Sequence, residues 1–285
     1  VFVWAYWGMD SYGWWTLAAP PFFLLVGRDL VRRSQVGVWS ALRWSFGIQA
    51  VLGILQAWHL IPDLFHDHWR PDGALGTIGQ ETLLGAFLAP LVPVAFFRWS
   101  ALEAFTGLLC CFLCSSSMTL AALGGASVVA LWKRFGTRPA LGLIFVGISC
   151  LGLAWMGHRP DSELFSATGR IPVWQAAWIH IPVHPWIGWG PGSWYGLYAT
   201  WGIEDRTIWG YLHSEPLQLL LELGWPAFAL ACFAFLVEIL DAEADAATII
   251  AGLLVNSLGN FPFRVPVTAL LLCLALAMPR RIPRA

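Results

Sequence analysis

Residues 216–239 read PLQLLLELGWPAFALACFAFLVEI, an apolar run whose strongly polar members are Gln218, Glu222 and Glu238. At about 1.5 Å per residue, a helix of this length crosses the roughly 30 Å hydrocarbon core of a bilayer. Gly224-Trp225-Pro226 predicts a bend part-way along it, because proline removes a backbone hydrogen bond. Glu222 lies beside that bend and is expected to be buried in a helix bundle, as a weaker functional candidate.

The rest of the chain agrees with that run. It has 285 residues, 58% hydrophobic and 12% charged, with a mean hydropathy of +0.65. A water-facing domain needs about twice that share of charge. Further apolar runs lie near 3–26, 36–59, 81–97, 101–116, 117–132, 139–157, 246–262 and 265–279. The sequence therefore predicts an all-α polytopic membrane protein of about nine transmembrane helices. Ser115-Ser116-Ser117 and Gly124-Gly125 fall among the crowded middle runs and suit close helix packing. All six cysteines lie in apolar runs, where they read as small hydrophobes rather than disulfides or metal ligands. The net charge of −1 offers no basic field for nucleic acid. No basic region precedes the first apolar run, so no signal peptide is read.

Basic residues orient the spans. With a 27–35 loop in the cytoplasm, alternation puts Arg28, Arg32, Arg33, Arg98, Lys133, Arg134, Arg138, Arg280, Arg281 and Arg284 inside. Arg70, Arg159, Arg170, Arg206 and Arg264 fall outside, and Arg43 lies near an inner helix end where it can snorkel. The expected organisation is N-terminal helices over 1–157 with a small periplasmic loop at 61–80. A large periplasmic loop over 158–214, containing short helices, and C-terminal helices over 215–285 complete it.

The large loop is too long for a mere connection. It carries Trp174, Trp178, Trp186, Trp189, Trp194, Trp201 and Trp209, with His158, His180, His184, His213 and arginines among them. An interfacial aromatic belt accounts for the tryptophans but not for the histidines and arginines. Ile171 to Ile181 predicts a short amphipathic helix resting on the membrane, with Arg170 at its start.

His213-Ser214-Glu215-Pro216 opens the late span. Ser214 reads as an N-cap, Glu215 as a first-turn acid favoured by the helix dipole, and Pro216 as an early helical proline. His213 stands just outside the helix, where an imidazole can take or give a proton near neutral pH. Arg170, Arg206 and Arg264 are candidates to bind an anion, since a guanidinium grips phosphate in a fixed fork. For Arg206 and Arg264, exposure to lipid headgroups is the simpler reading, and His158-Arg159 reads as an interfacial anchor. His180 and His184 are four apart, but Pro182 and Pro185 argue against one helical face and a zinc pair. His66-Asp67-His68 with Asp63 and Asp72 reads as a polar loop rather than a metal site. Gly188-Trp-Gly190-Pro-Gly192 lacks a flanking strand and helix for a dinucleotide, so it predicts a tight turn where backbone passes close to something.

Four segments resemble, in order, the signature of the O-antigen ligase and O-antigen polymerase superfamily. They are Gly76-Thr77-Ile-Gly79-Gln80, then Gly169-Arg170-Ile-Pro-Val-Trp174-Gln-Ala-Ala-Trp178. His184-Pro185-Trp-Ile-Gly188-Trp-Gly190 follows, and then His213-Ser-Glu-Pro-Leu217-Gln218 with Leu-Glu222-Leu-Gly224. Three departures stand out. Ser214 replaces the family's Asn, Gln80-Glu81 replaces an Asn-rich stretch, and Ser115-Ser116-Ser117-Met118 stands where many members carry Ser-Arg. The family has more spans, which predicts helices ahead of Val1.

The resemblance implies a membrane glycosyltransferase of the bacterial inner membrane, with the large loop periplasmic. It would move a saccharide from polyprenyl diphosphate to a hydroxyl of lipid A core or of a growing polysaccharide. The implied reaction is inverting and needs neither metal nor other cofactor. His213 and Arg170 are the implied catalytic residues. Arg206, Arg264, His184, Gly188, Gly190, Trp174 and Glu215 are implied substrate-binding residues, with loop aromatics stacking on sugars. A transporter or flippase, or a truncated non-catalytic scaffold member of the family, are the competing readings.

Overall fold

The computed structural model describes residues 12–61, 74, 76–78, 81–114, 116–137, 170–198 and 212–278. Among them, every regular element is helical. Helix α1 (Tyr12–Arg33) and α2 (Gln35–Ala57) meet through Ser34, whose hydroxyl accepts from the Gly37 N–H at 2.9 Å. The expected 27–35 loop therefore does not form. Arg32 and Arg33 ride on the last turn of α1, where cations suit the unpaired helix carbonyls. Arg33 also pairs with Asp29 one turn back, at 2.7 Å.

The expected third span is interrupted. Helix α3 (Glu81–Leu88) stops at Ala89-Pro90, α4 (Leu91–Val94) follows, and a π-helical turn carries the chain from Ala95 to Trp99. Then come α5 (Ala101–Leu113) and α6 (Ser117–Phe135), capped by the side chains of Ser100 and Ser116. The loop helices are α7 (Arg170–His180) and α8 (Ser193–Tyr198). The chain continues with α9 (Glu215–Asp241), α10 (Ala244–Ser257) and α11 (Pro266–Ala277).

Among the described residues, three helical stretches are long and apolar enough to cross a membrane: Gln35–Ala57, Thr82–Trp99 and Glu215–Asp241. Helices α5, α10 and α11 are apolar but only 13, 14 and 12 residues long. The expected span at 139–157 and the loop at 62–73 lie outside the described residues.

Helices α6 and α10 share the most extensive contact among the described helices. A Cβ on Gly125 would fall 2.6 Å from the Val255 side chain, and one on Gly252 would fall 2.6 Å from Pro90. Gly124 faces open space, so of the Gly124-Gly125 pair only Gly125 is used for close packing. Cys110, Cys111 and Cys114 are buried as free thiols, as their apolar surroundings predict.

Charged groups collect at one end of this bundle. Arg98 pairs with Asp245 at 3.0 Å, and Arg134 bonds the other oxygen of the same carboxylate. Arg98 also lies over the Trp39 ring at 4.3 Å, and Arg134 over Phe97 at 4.6 Å. The Lys133 ammonium donates to the carbonyls of Leu240 and Ala242, at 2.6 and 3.1 Å, closing the end of α9. Arg43, half exposed, pairs with Glu103 at 2.6 Å rather than standing alone. Arg264 and the entry to α9 lie at the other ends of α10 and α9 from Asp245.

A second, smaller core joins α7, α8 and the first turns of α9. Val173, Ala177, Ile181, Trp194, Leu212, Leu220 and Leu221 are buried together there. The three members from α7 and its extension are each spaced four apart. The predicted amphipathic helix thus buries one face in protein and leaves Trp178 and Ile179 exposed.

Candidate functional site

Helix α9 is broken where its sequence predicts. Gly224 leaves helical geometry at φ 77° and ψ 179°. A regular helix would bring the N–H of Trp225 to the Leu221 carbonyl and that of residue 226 to Glu222. Here Trp225 turns away and Pro226 has no N–H. The segment from His184 to Gly190 supplies the missing bonds. Trp189 N–H donates to Leu221 O and Gly190 N–H to Glu222 O, both at 2.9 Å, while Trp225 N–H donates to Pro185 O at 2.8 Å.

Two glycines permit this fit. Gly188 has φ +66°, and a Cβ on it would lie 2.3 Å from the Glu222 backbone; Gly224 has φ +77°, and its Cβ would meet Pro185 O at 2.7 Å. The close approach predicted for the Gly188-Gly190 turn is therefore an approach to α9 itself. His184 is exposed on this turn, edge-on to Trp189 at 4.5 Å. Helix α7 ends at His180 and a 3-10 turn, Ile181–Val183, intervenes before His184, so the two histidines share no helical face.

His213 enters α9 in a left-handed conformation, φ 52°, which a β-substituted residue seldom adopts. Its ring stands edge-on to Phe261 with centroids 5.0 Å apart. Ser214 occupies the N-cap position but its side chain makes no capping bond, contrary to expectation; its carbonyl accepts the first intrahelical bond from Gln218 N–H at 2.9 Å. Glu215 is in the first turn, as expected, and it is also buried.

The partner of Glu215 corrects the reading of Arg264. Arg264 Nε donates to Glu215 Oε2 at 3.0 Å, with side-chain exposures of 13% and 10%. Arg264 is thus an interior residue rather than a headgroup contact. The 3-10 turn Pro262–Arg264 ahead of α11 folds it inward, and the carboxylate at the start of α9 makes its burial tolerable.

Behind His213 runs a chain of buried polar contacts. Trp174 Nε1 donates to Leu212 O at 2.8 Å, and Leu212 N–H donates to Gln218 Oε1 at 3.3 Å. Gln218 Nε2 in turn donates to Glu222 Oε1 at 2.8 Å. Gln218 and Glu222 are 1% and 2% exposed. Sequence reasoning did not assign Gln218 a place in the site. Its signals are its place in the resembling segment His213-Ser-Glu-Pro-Leu217-Gln218 and its spacing of four from Glu222 in an otherwise apolar run. Asn256 and Asn260, also buried and linked at 3.3 Å, carried no comparable signal.

The remaining predicted residues are placed unevenly. Arg170 is the first residue of α7, one turn ahead of Trp174. Arg206, His158, Arg159 and the His66-Asp67-His68 segment lie outside the described residues. Upstream, Gly76 N–H donates to Gln56 Oε1 at 2.6 Å and Thr77 N–H to Gln49 Oε1 at 2.9 Å, which ties this segment to α2. Beside the entry to α9, Trp174, Gln175, Trp178, Ile179 and Leu217 line an open depression of about 540 Å³.

The helices from α5 to α8, most of the broken α9 and the turn that mends it fall in one stretch of chain with a known counterpart. Residues 102–232 match the O-antigen ligase family. The O-antigen ligase match runs from α5 into the later half of α9. It takes in Arg170, Trp174, the 184–190 turn, His213, Glu215, Gln218 and Glu222, and leaves Arg264 outside. That is the family the four segments resemble. No curated protein matches the chain.

Proposed function

We propose that this protein is an O-antigen ligase or polymerase type glycosyltransferase. It moves a saccharide from polyprenyl diphosphate to an acceptor hydroxyl of lipid A core or a growing polysaccharide, at the periplasmic face of a bacterial inner membrane. The observation that carries the reading is the Trp174–Leu212 bond. It joins the first turns of α7, which begins at Arg170, to the residue preceding His213, and so supports a reading in which these two residues act together.

In this reaction the acceptor oxygen attacks the anomeric carbon as the bond to the diphosphate breaks. His213 takes the hydroxyl proton, and the leaving diphosphate departs from the opposite face, inverting the centre. The charge developing on the diphosphate needs preorganised cations. Arg170 supplies one, with Arg206 and Arg264 as further donors and Glu215 holding Arg264 at Nε. The depression lined by Trp174, Gln175 and Trp178 suits a sugar ring, which lays its apolar face on an indole and offers hydroxyls to an amide.

The test is transfer by purified protein in detergent, with a polyprenyl-diphosphate oligosaccharide donor, EDTA and one acceptor at a time. Product on lipid A core identifies a ligase, and a ladder of repeats identifies a polymerase. Arg170→Ala and His213→Ala are each expected to lower turnover by roughly a hundredfold or more. Normal turnover in both would remove these roles, and no product with any acceptor would remove the reading itself.

A further inference from the structure

Gln218 and Glu222 lie one turn and two turns beyond the entry of α9, and neither is in the assembly described above as touching substrate. Both are almost wholly buried in a helix whose surroundings are apolar. Burying an amide and a carboxyl side by side is unfavourable unless their hydrogen bonds do something the fold requires. The direction of those bonds is informative. Glu222 Oε1 accepts from Gln218 Nε2, which fixes which end of the amide faces outward. The outward end, Gln218 Oε1, then accepts from the Leu212 N–H, and the Leu212 carbonyl accepts from the Trp174 indole.

The residue held from both sides is thus Leu212, and the next residue is His213 in its left-handed conformation. A non-glycine residue at such φ persists where its surroundings over-determine it. Phe261 bounds the ring on the other side. We infer that Gln218 and Glu222 are positioning residues that orient His213 through the Leu212 backbone. This rests on the proposed role of His213. Glu222 sets the Gln218 amide, the amide sets the Leu212 peptide, and the peptide sets the direction in which the imidazole leaves the chain. Trp174 links the same peptide to α7, so the arrangement couples the histidine to the helix that begins at Arg170. Gln218→Met keeps the length of the side chain and removes both contacts, while Glu222→Gln keeps an oxygen that accepts from Gln218.

The experiment compares Gln218→Met, Glu222→Leu and Glu222→Gln with wild type and His213→Ala, in the transfer assay and by carbethoxylation of His213. Modification is read as the rate of diethyl pyrocarbonate labelling at His213 by peptide mass spectrometry. Gln218→Met and Glu222→Leu are expected to lower kcat roughly tenfold to a hundredfold with KM for the lipid-linked donor little changed. Both are expected to change the His213 labelling rate severalfold, and Glu222→Gln is expected to restore both readouts toward wild type. Wild-type kcat and labelling in Gln218→Met would overturn the inference. So would a rate loss matched by loss of folded protein with unchanged His213 labelling. If wild type transfers nothing, the functional reading fails while the labelling comparison still decides whether the relay orients His213.

Discussion

The N–H of Gly190 donates to the carbonyl of Glu222 at 2.9 Å, filling the place of a bond that Pro226 cannot make. A loop residue 32 positions upstream in the chain thereby completes the hydrogen bonding of a membrane helix. An unsatisfied carbonyl inside an apolar bundle costs several kcal/mol. The break in α9 and the 184–190 turn are therefore one unit.

That unit predicts sensitivity at its two close-approach glycines. Gly188→Ala and Gly224→Ala each set a Cβ against backbone at a φ that only glycine tolerates freely. Each is expected to destabilise the protein by about 2 kcal/mol or more, read as a lower midpoint of thermal unfolding in detergent.

The buried pair at the entry of α9 predicts an asymmetric response. Glu215→Met or Arg264→Met alone strands a charge in the interior and is expected to lose about 3–5 kcal/mol of stability. The double variant, with both charges gone, is expected to recover most of that loss in the same unfolding assay.

Neighbouring glycines on α6 are expected to behave oppositely. Gly125→Ala puts a methyl 2.6 Å from Val255 and should destabilise by about 1–3 kcal/mol, with Val255→Ala restoring part of it. Gly124→Ala meets nothing within 4 Å and should be neutral or stabilising by up to about 1 kcal/mol.

At the other end, Asp245 holds two arginines at once. Both are partly exposed, which moderates the effect. Asp245→Asn is expected to destabilise by about 2 kcal/mol and to sensitise the chain to proteolysis after Arg134, measured by limited trypsin digestion.

What was legible in the sequence was what local chemistry decides. The break in α9 follows from Gly224 and Pro226 themselves, and the amphipathic α7 follows from the spacing of Val173, Ala177 and Ile181. Long-range partners were not legible. Arg264 reads as a surface cation until Glu215, 49 positions away, is known to face it. Gln218 carries no legible role because its outward partner is the backbone of Leu212, and a peptide N–H has no sequence signature. The expected loop at 27–35 failed for a different reason. A cluster of arginines marks a helix end as well as it marks a connection, and Ser34 alone suffices to start the next helix.

The break in α9 also works as a depth mark. Residues 225–241 rise about 25 Å as a helix, close to the roughly 30 Å that a bilayer's hydrocarbon occupies. Their side chains are largely exposed at Trp225, Leu230, Phe233, Leu236 and Leu240, as lipid contact requires. The turns before the break, with Gln218 and Glu222, are enclosed by protein instead. One helix thus serves two solvents. Its later part turns its side chains outward, and its first turns are tied to the loop by the bonds to Pro185, Trp189 and Gly190.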